Sequence, residues 1–464
     1  MTPDDSRESG PDDPPEGDSG AGGDPPPESA APPPGSIPTA RLLVFWSDSA
    51  MPLAEEIRRR LDEDLRIQDS SESEGALWSL VIEGLPLPGP VEVRVTPRLE
   101  DLPTASSETV RWRDRLERRR AERASWFLSV EAPLDASAPQ ASWQELLRVA
   151  LRLCEDTPAV FDLSSCRLRA GSEIERLTSS QVAPRSAELY TIHAVAPDDE
   201  SERLWLHTHG LERAWCPDLE LLDLPPERLD AGRRLIDGLA ELLLFAELPA
   251  PGTPIRAGRD LEVAWLPWQV VARGRDPEAL GGLQDREGVA DDHAGFRAVI
   301  VSAESTEVAF EPPTAALEAM ASNSGGLFVS TRETERMAAL ARERWAVFGM
   351  LFARHKDEPE GEWRFLAKLG FEVKEGEDRR EHLWFEVKEL APNRLRAMLL
   401  NSPHDIPAMT VGDEGWHELD RLTDWTILSP LGSFDPETAD YLWDAGKPKS
   451  GTSDRPSFDD RSTP

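Results

Sequence analysis

The fold class follows from a stretch in the first third of the chain, residues 142–163, which reads SWQELLRVALRLCEDTPAVFDL. Over residues 142–155 the apolar side chains recur on one face of a helix, and Ser142 with Glu145 forms a capping box at its start. Residues 159–163 are a short apolar run that is typical of a strand. The sequence thus passes from a helix directly to a strand.

The same mixture of helices and strands continues on both sides of this stretch. Strands are predicted at residues 41–46, 91–95, 126–130, 189–195, 204–209 and 296–301, and helices at residues 53–65, 226–246 and 331–355. These elements do not alternate as regular βαβ units, so the fold class is α+β with mixed helix and antiparallel-sheet domains. After residue 363 short strands and turns follow one another, which predicts a small β-rich C-terminal domain preceded by a helix.

Composition divides the chain into five parts. Residues 1–38 contain 11 prolines and nine acidic residues, and they are expected to form a disordered acidic tail. Residues 39–275 are predicted to form one or more α+β domains, and residues 331–445 the C-terminal domain. Residues 276–330 are predicted to be a linker and connecting segment between them. Residues 446–464 are expected to be a second disordered tail.

Charge limits the kinds of partner. The chain has 87 acidic and 51 basic side chains, a formal net charge of −36. This surplus repels phosphate backbones and anionic lipids, so we expect no nucleic-acid or membrane partner. We expect a protein or peptide partner instead. No signal peptide or membrane span is visible, and three cysteines without a CxxC motif favour free thiols. We therefore expect a cytoplasmic protein.

The C-terminal part carries a set of short motifs in a fixed order. They are Phe365, Lys368 and Phe371, then EHLWF at residues 381–385, Asn401 with Pro403, Gly412-Asp413 and Asp424-Trp425. In this order the motifs resemble the bacterial family called domain of unknown function 2314.

Upstream, three segments resemble domain of unknown function 4026: ELYTIHAV at residues 188–195, LWLHTHGL at 204–211 and DLELL at 218–222. The two resemblances imply a bacterial architecture of two or three domains. Neither implies an activity.

One candidate metal site lies in LWLHTHGL. Side chains alternate along a strand, so Trp205, His207 and His209 point to the same face. Two imidazoles at this spacing are close enough to share a metal ion, and Cys216, after a turn at Gly210, is a candidate third ligand.

Other residues near this strand are also candidates for the third position. Asp218 and Glu220 follow Cys216, and His193 is a further possible ligand. The alternative interpretation is a hydrogen-bonded histidine pair on a half-buried strand, without any metal.

A candidate binding surface lies in the C-terminal domain. His382, Trp384 and Glu386 share one face of a predicted strand, and the apolar residues between them face the core. The turn at Asn401 and the pair Asp424-Trp425 complete the predicted binding residues, although structural roles for them are also consistent with the sequence.

A basic segment interrupts the acidic chain at residues 111–123, where seven arginines surround three acidic residues. On a helix Asp114, Glu117 and Glu122 can pair with arginines three or four residues away. The segment is then a solvated face, or alternatively a dock for an acidic segment such as the N-terminal tail.

These observations favour a non-enzymatic binding, adaptor or regulatory protein without a cofactor, because no nucleophile, base and orienting group come together in the local sequence. The alternative is a metal-dependent hydrolase that uses zinc at the His-x-His strand.

Overall fold

The computed structural model describes residues 38–61, 64–69, 77–98, 110–196, 202–258, 261–286, 293, 295–305, 310–322, 331–359, 362–373 and 379–439. The two tails predicted to be disordered lie outside these residues, except for Pro38. Within the described residues the α+β class is confirmed, because three sheets are combined with helices on their faces. None of the described helices is long and apolar enough to cross a membrane.

The first sheet is antiparallel and has the order β2-β3-β4-β5-β1-β6-β7. Its strands are β1 (Thr39–Trp46), β2 (Arg66–Asp69), β3 (Trp78–Glu83), β4 (Val91–Pro97), β5 (Trp126–Pro133), β6 (Ala159–Asp162) and β7 (Arg167–Ala170). Its helices are α1 (Ala54–Arg59), α2 (Arg115–Arg123), α3 (Pro139–Leu153) and α4 (Gly171–Ser179).

Strand β1 is buried on both faces because a helix covers each side of the sheet. Leu42 and Val44 belong to the same core as the apolar face of α3, whereas Leu43 and Phe45 pack with Ala121 of α2. The first sheet is therefore the middle layer of a helix–sheet–helix arrangement.

The second sheet has the order β11-β12-β13-β10-β9-β8, and only β10 and β13 are parallel neighbours in it. Its strands are β8 (Thr191–Val195), β9 (Leu204–His209), β10 (Asp218–Leu224), β11 (Ile255–Gly258), β12 (Leu261–Pro267) and β13 (Arg297–Ser302). Helices α5 (Leu229–Leu243), α6 (Trp268–Arg273) and α7 (Thr314–Ala321) belong to this part of the chain.

The segment predicted to link and connect, residues 276–330, contains an internal strand of the second sheet and a helix that packs in the main core. Strand β13 lies inside the second sheet between β10 and β12, and Leu317 of α7 is buried in the main core. The polar residues before β13 look like a linker because they lack an apolar period, yet they lead into an internal strand.

The third sheet is antiparallel with the order β17-β16-β15-β14-β18-β19. Its strands are β14 (Arg364–Glu372), β15 (Arg380–Ala391), β16 (Arg394–Leu399), β17 (Glu414–Glu418), β18 (Leu422–Ser429) and β19 (Gly432–Phe434). Helices α8 (Thr331–Glu343) and α9 (Trp345–His355) precede it and contribute Ala341, Phe348 and Phe352 to its core. The predicted β-rich C-terminal region behind a helical segment is confirmed.

Several predicted helix boundaries differ from the structure. The helix predicted over residues 331–355 is interrupted at Arg344, which separates α8 from α9. Helix α3 begins at Pro139, so Ser142 is inside the helix and accepts a hydrogen bond from the backbone N–H of Asp135 at 3.2 Å instead of forming a capping box. Pro139 explains the earlier start, since proline is favoured in the first turn of a helix.

A histidine cluster as a candidate metal centre

Four histidines from three parts of the second sheet meet at one place. His207 and His209 lie on the same face of β9, and both are buried. His193 of β8 lies directly opposite His207 in the antiparallel register. His293 comes from the segment that precedes β13.

The distances between their ring nitrogens are short. Nε2 of His207 lies 3.1 Å from Nε2 of His209 and 3.1 Å from Nε2 of His293. One ligand nitrogen from each of His193, His207 and His209 lies within 4.8 Å of the others. The cluster therefore brings several potential ligand atoms into a volume that one ion can span.

Burial favours the neutral form of three of these imidazoles, those of His193, His207 and His209. Burial lowers the pKa of His207 far below its ordinary value, and the neighbouring His209 and His293 lower it further. Burial together with Arg297 lowers the pKa of His209 to about 2. The pKa of His193 is also lowered, mainly by burial. Neutral imidazole is the form that binds metal ions.

The arrangement of nitrogens fits an ion of the zinc class. Metal–nitrogen distances of about 2.0–2.1 Å in a tetrahedral shell place neighbouring ligand nitrogens about 3.3–3.4 Å apart, close to the 3.1 Å between the His207 and His209 nitrogens. Imidazole ligands suit zinc, copper, iron and nickel. Nδ1 of His207 is buried and has no hydrogen-bond partner among the described residues, whereas Nε2 lies within hydrogen-bond distance of two other histidines.

A buried group of charges, centred on Glu220 of β10, lies beside the cluster. Glu220, opposite His207 in the register, is fully buried and forms ion pairs with Arg286 at 3.0 Å and Arg297 at 3.3 Å. Nη2 of Arg297 lies 3.4 Å from Nδ1 of His209. The charge of the Glu220 carboxylate is thus balanced by two arginines.

The cluster lies between two openings. His193 lines a cleft of about 820 Å³ between the edge strands β7 and β8, together with Tyr190 and Asp237. His209 and Arg297 line a smaller pocket of about 390 Å³. The cluster therefore borders both pockets through His193 and His209.

The structure brings together part of the ligand set that the sequence indicated. His207 and His209 lie side by side as predicted, and His193 joins them. Cys216 does not, because the chain turns it into the hydrophobic core beside Leu211 and Ala214, and burial raises the pKa of its thiol. The prediction that Cys216 is a ligand is therefore wrong.

His293 was missed by sequence reasoning. It lies in a polar stretch without periodicity. It is placed beside the other histidines only because β13, which follows it, pairs with β10. No local pattern could have identified it.

The predicted binding surface in the third sheet is only partly on a surface. His382, Trp384 and Glu386 lie on one face of β15 and are half-buried, while the residues between them are in the core. Trp425 is fully buried, and its indole N–H donates to the carbonyl oxygen of Ala341 at 3.0 Å, so the prediction that it belongs to a binding surface is wrong.

The remaining two residues of that surface have structural contacts. The side-chain oxygen of Asn401 accepts a hydrogen bond from the backbone N–H of Trp384 at 2.7 Å. Asp424 is half-buried, and burial raises the pKa of its carboxyl to about 6. The Nζ atom of Lys368 lies 5.6 Å from the centre of the Trp384 ring.

Comparison with known families matches two regions of the chain. Residues 192–301 match the family described as "Protein of unknown function (DUF4026) C-terminal", and residues 335–445 match the family described as "Uncharacterized protein conserved in bacteria (DUF2314)". Both resemblances are confirmed, in the predicted order. The first match covers His193, His207, His209 and His293. No curated protein and no solved structure matches the chain.

Proposed function

We propose that this protein binds one divalent transition-metal ion of the zinc class through His207 and His209, with His193 and His293 completing the ligand set. We propose further that the ion serves binding or regulation rather than hydrolysis. The observation that carries the proposal is the convergence of three Nε2 atoms, with His207 only 3.1 Å from both His209 and His293.

Two features favour a non-catalytic role. Four imidazoles can fill a tetrahedral shell, and closed four-ligand sites are typical of structural zinc, whereas catalytic sites keep one position for water. A hydrolase also needs a base beside the bound water, but Glu220 is held by Arg286 and Arg297.

The test is the metal content of the full chain purified without a histidine tag. We expect about one equivalent of metal by mass spectrometry after exposure to zinc and removal of excess ion. The double variant H207A/H209A should retain almost none, and the matched control H355A/H404A, in the C-terminal part, should retain the wild-type amount. Wild-type protein that stays metal-free, or equal metal in both variants, would overturn the proposal.

A metal-dependent hydrolase remains the second candidate because His193 lines the cleft of about 820 Å³. Ligand-binding clefts have volumes of about 300–1,000 Å³, so a site built from His193, His207 and His209 would leave an open position facing a cleft of suitable size. Zinc-loaded protein should then hydrolyse a p-nitrophenyl ester or phosphodiester, and H207A/H209A should not. Equal background rates in both proteins would exclude hydrolysis of these two probes and favour the binding role.

A further inference from the structure

Helix α2 presents a row of arginines to solvent. Its inner side packs on the first sheet through Ala121, and its outer side carries Arg115, Arg119 and Arg123, which are all exposed. Residues four apart lie above one another on a helix, so these three form a single row. We refer to Arg115, Arg119 and Arg123 as the arginine stripe.

The arginine stripe differs from the neighbouring arginines in its lack of ion pairs. Arg113 pairs with Glu175, Arg118 with Glu122, and Arg120 lies 3.8 Å from Asp156. Among the residues that the structure describes, none forms an ion pair with Arg115, Arg119 or Arg123. Local ion pairing in this segment therefore does not extend to the stripe.

Such a row has an energetic cost. Like charges four residues apart destabilise a helix, and here three guanidinium groups follow one another. The chain as a whole is strongly acidic, with a formal net charge of −36, so the stripe is a local positive feature in a negative field. An anionic segment lying along it would remove the repulsion.

The N-terminal segment, residues 1–37, has the charge that such a row would attract. It contains nine acidic residues and one arginine. Its end is also close by. Pro38 lines the same pocket as Leu163, and Leu163 packs in the same apolar cluster as Trp112, which lies two residues before the N-cap of α2.

The segment is long enough to reach the whole stripe. As random coils, chains of 37 residues span roughly 30–36 Å on average, and proline-rich chains reach further. Helix α2 has nine residues, about 14 Å at 1.5 Å per residue. We propose that residues 1–37 bind along the arginine stripe of the same chain through their carboxylates.

The test is zero-length cross-linking in the full chain. In the variant R115K/R119K/R123K the charge is kept and an amine is supplied that carbodiimide can join to a carboxylate. We expect cross-linked peptides between residues 1–37 and the three substituted positions in about 10 mM salt, where the Debye length is about 30 Å. These cross-links should disappear in about 1 M salt, where it is about 3 Å.

A matched control separates docking from random collision. The variant R59K/R273K/R354K places three amines at exposed positions on other helices, and we expect at least tenfold fewer cross-links from residues 1–37 to them. Equal cross-linking of both variants would overturn the proposal, as would cross-links from the stripe only to other acidic segments. If an RNA oligonucleotide binds wild-type protein but not R115E/R119E/R123E, and the cross-links are absent, the stripe is a nucleic-acid surface and the proposal is wrong.

Discussion

The position of Arg297 disfavours the tautomer of His209 that binds a metal ion through Nε2. A histidine that ligates through Nε2 carries its proton on Nδ1 and donates it to an acceptor. Arg297, whose Nη2 lies 3.4 Å from that Nδ1, can only donate. Metal binding through Nε2 of His209 therefore requires the Arg297 guanidinium to move away from Nδ1. Glu220, which already pairs with Arg297, can hold the guanidinium in its new position.

This conflict predicts a gain of affinity from a single substitution. In R297Q the side-chain amide oxygen can accept the Nδ1 proton of His209, so zinc should bind roughly tenfold more tightly. Competition with a chromogenic chelator measures the affinity. R297K is the matched control, since it keeps a donor at this position and should show no gain. Unchanged or weaker zinc binding by folded R297Q would contradict this account of the site.

The two tryptophans predicted together as binding residues should behave differently. Trp425 is fully buried, so W425A should lower the free energy of unfolding by about 3–5 kcal/mol. Trp384 is half-buried on the outer face of β15, so W384A should lower the free energy of unfolding by about 1 kcal/mol or less. Denaturant unfolding of both variants measures these changes.

The same pair of variants tests the protein or peptide partner that the sequence leads us to expect. If the face of His382, Trp384 and Glu386 binds a partner, W384A should reduce the amount of protein that co-purifies from the host, as determined by quantitative mass spectrometry. A loss of stability in W384A as large as in W425A would show that Trp384 is a core residue and not a contact.

At the scale of secondary-structure elements, the sequence predicts what depends on local periodicity. The period of two on β9 places His207 and His209 on one face, and the apolar face of α3 is evident from its spacing. His193 joins the site only through the register of β8 against β9. That register depends on contacts between strands, which a single sequence does not reveal.

The sequence predicts strand β13 but not its neighbours in the sheet. Its apolar run predicts a strand, yet its neighbours in the sheet are β10, far back in the chain, and β12. The polar residues before it suggest a linker because nothing local signals the long-range pairing. The same pairing positions His293, so one long-range contact that the local sequence does not signal determines both features.

Gly171, at the first position of α4, has no room for a larger side chain. A Cβ atom there would lie 2.0 Å from the backbone oxygen of Thr157, so G171A must separate the start of α4 from the chain before β6. We expect a loss of about 1–3 kcal/mol in the free energy of unfolding. Thermal or denaturant unfolding measures it.

Gly349 of α9 provides the control. The nearest atom to a Cβ at this position is 3.9 Å away, so alanine fits. G349A should stabilise the protein by about 0.5–1 kcal/mol, because alanine is the better helix former. If G171A is as stable as wild type, the close approach to Thr157 is not a real constraint on the fold.

At the scale of the whole molecule, a buried ionic network joins the first sheet to the segments around the second. Asp162 of β6 accepts two hydrogen bonds from Arg213 at 2.8 Å, and Arg169 of β7 donates to the carboxylate of Glu188 at 3.0 Å. The side chains of Asp162, Arg169 and Arg213 are at most 2% exposed. Breaking a buried pair leaves an uncompensated charge, so the network holds the two parts together.

Glu188 makes the stability of this network depend on pH. Burial alone would raise the pKa of its carboxyl, but Arg169, Arg167 and Arg185 outweigh it and lower the pKa to about 2, from 4.5. The unfolded chain therefore binds a proton more readily than the folded chain does. The contribution of Glu188, about 3 kcal/mol, is complete above about pH 4.5 and is lost as the pH falls toward 2.

E188Q should accordingly lower the free energy of unfolding by about 3 kcal/mol at pH 7 and flatten its decline between pH 4.5 and pH 2. Denaturant unfolding at a series of pH values measures both effects. E175Q is the matched control, because Glu175 pairs with Arg113 at an exposed position and should change stability by less than about 1 kcal/mol. If E188Q follows the wild-type pH profile, the arginines around Glu188 do not stabilise its charge, and the junction between the two sheets depends on apolar packing instead.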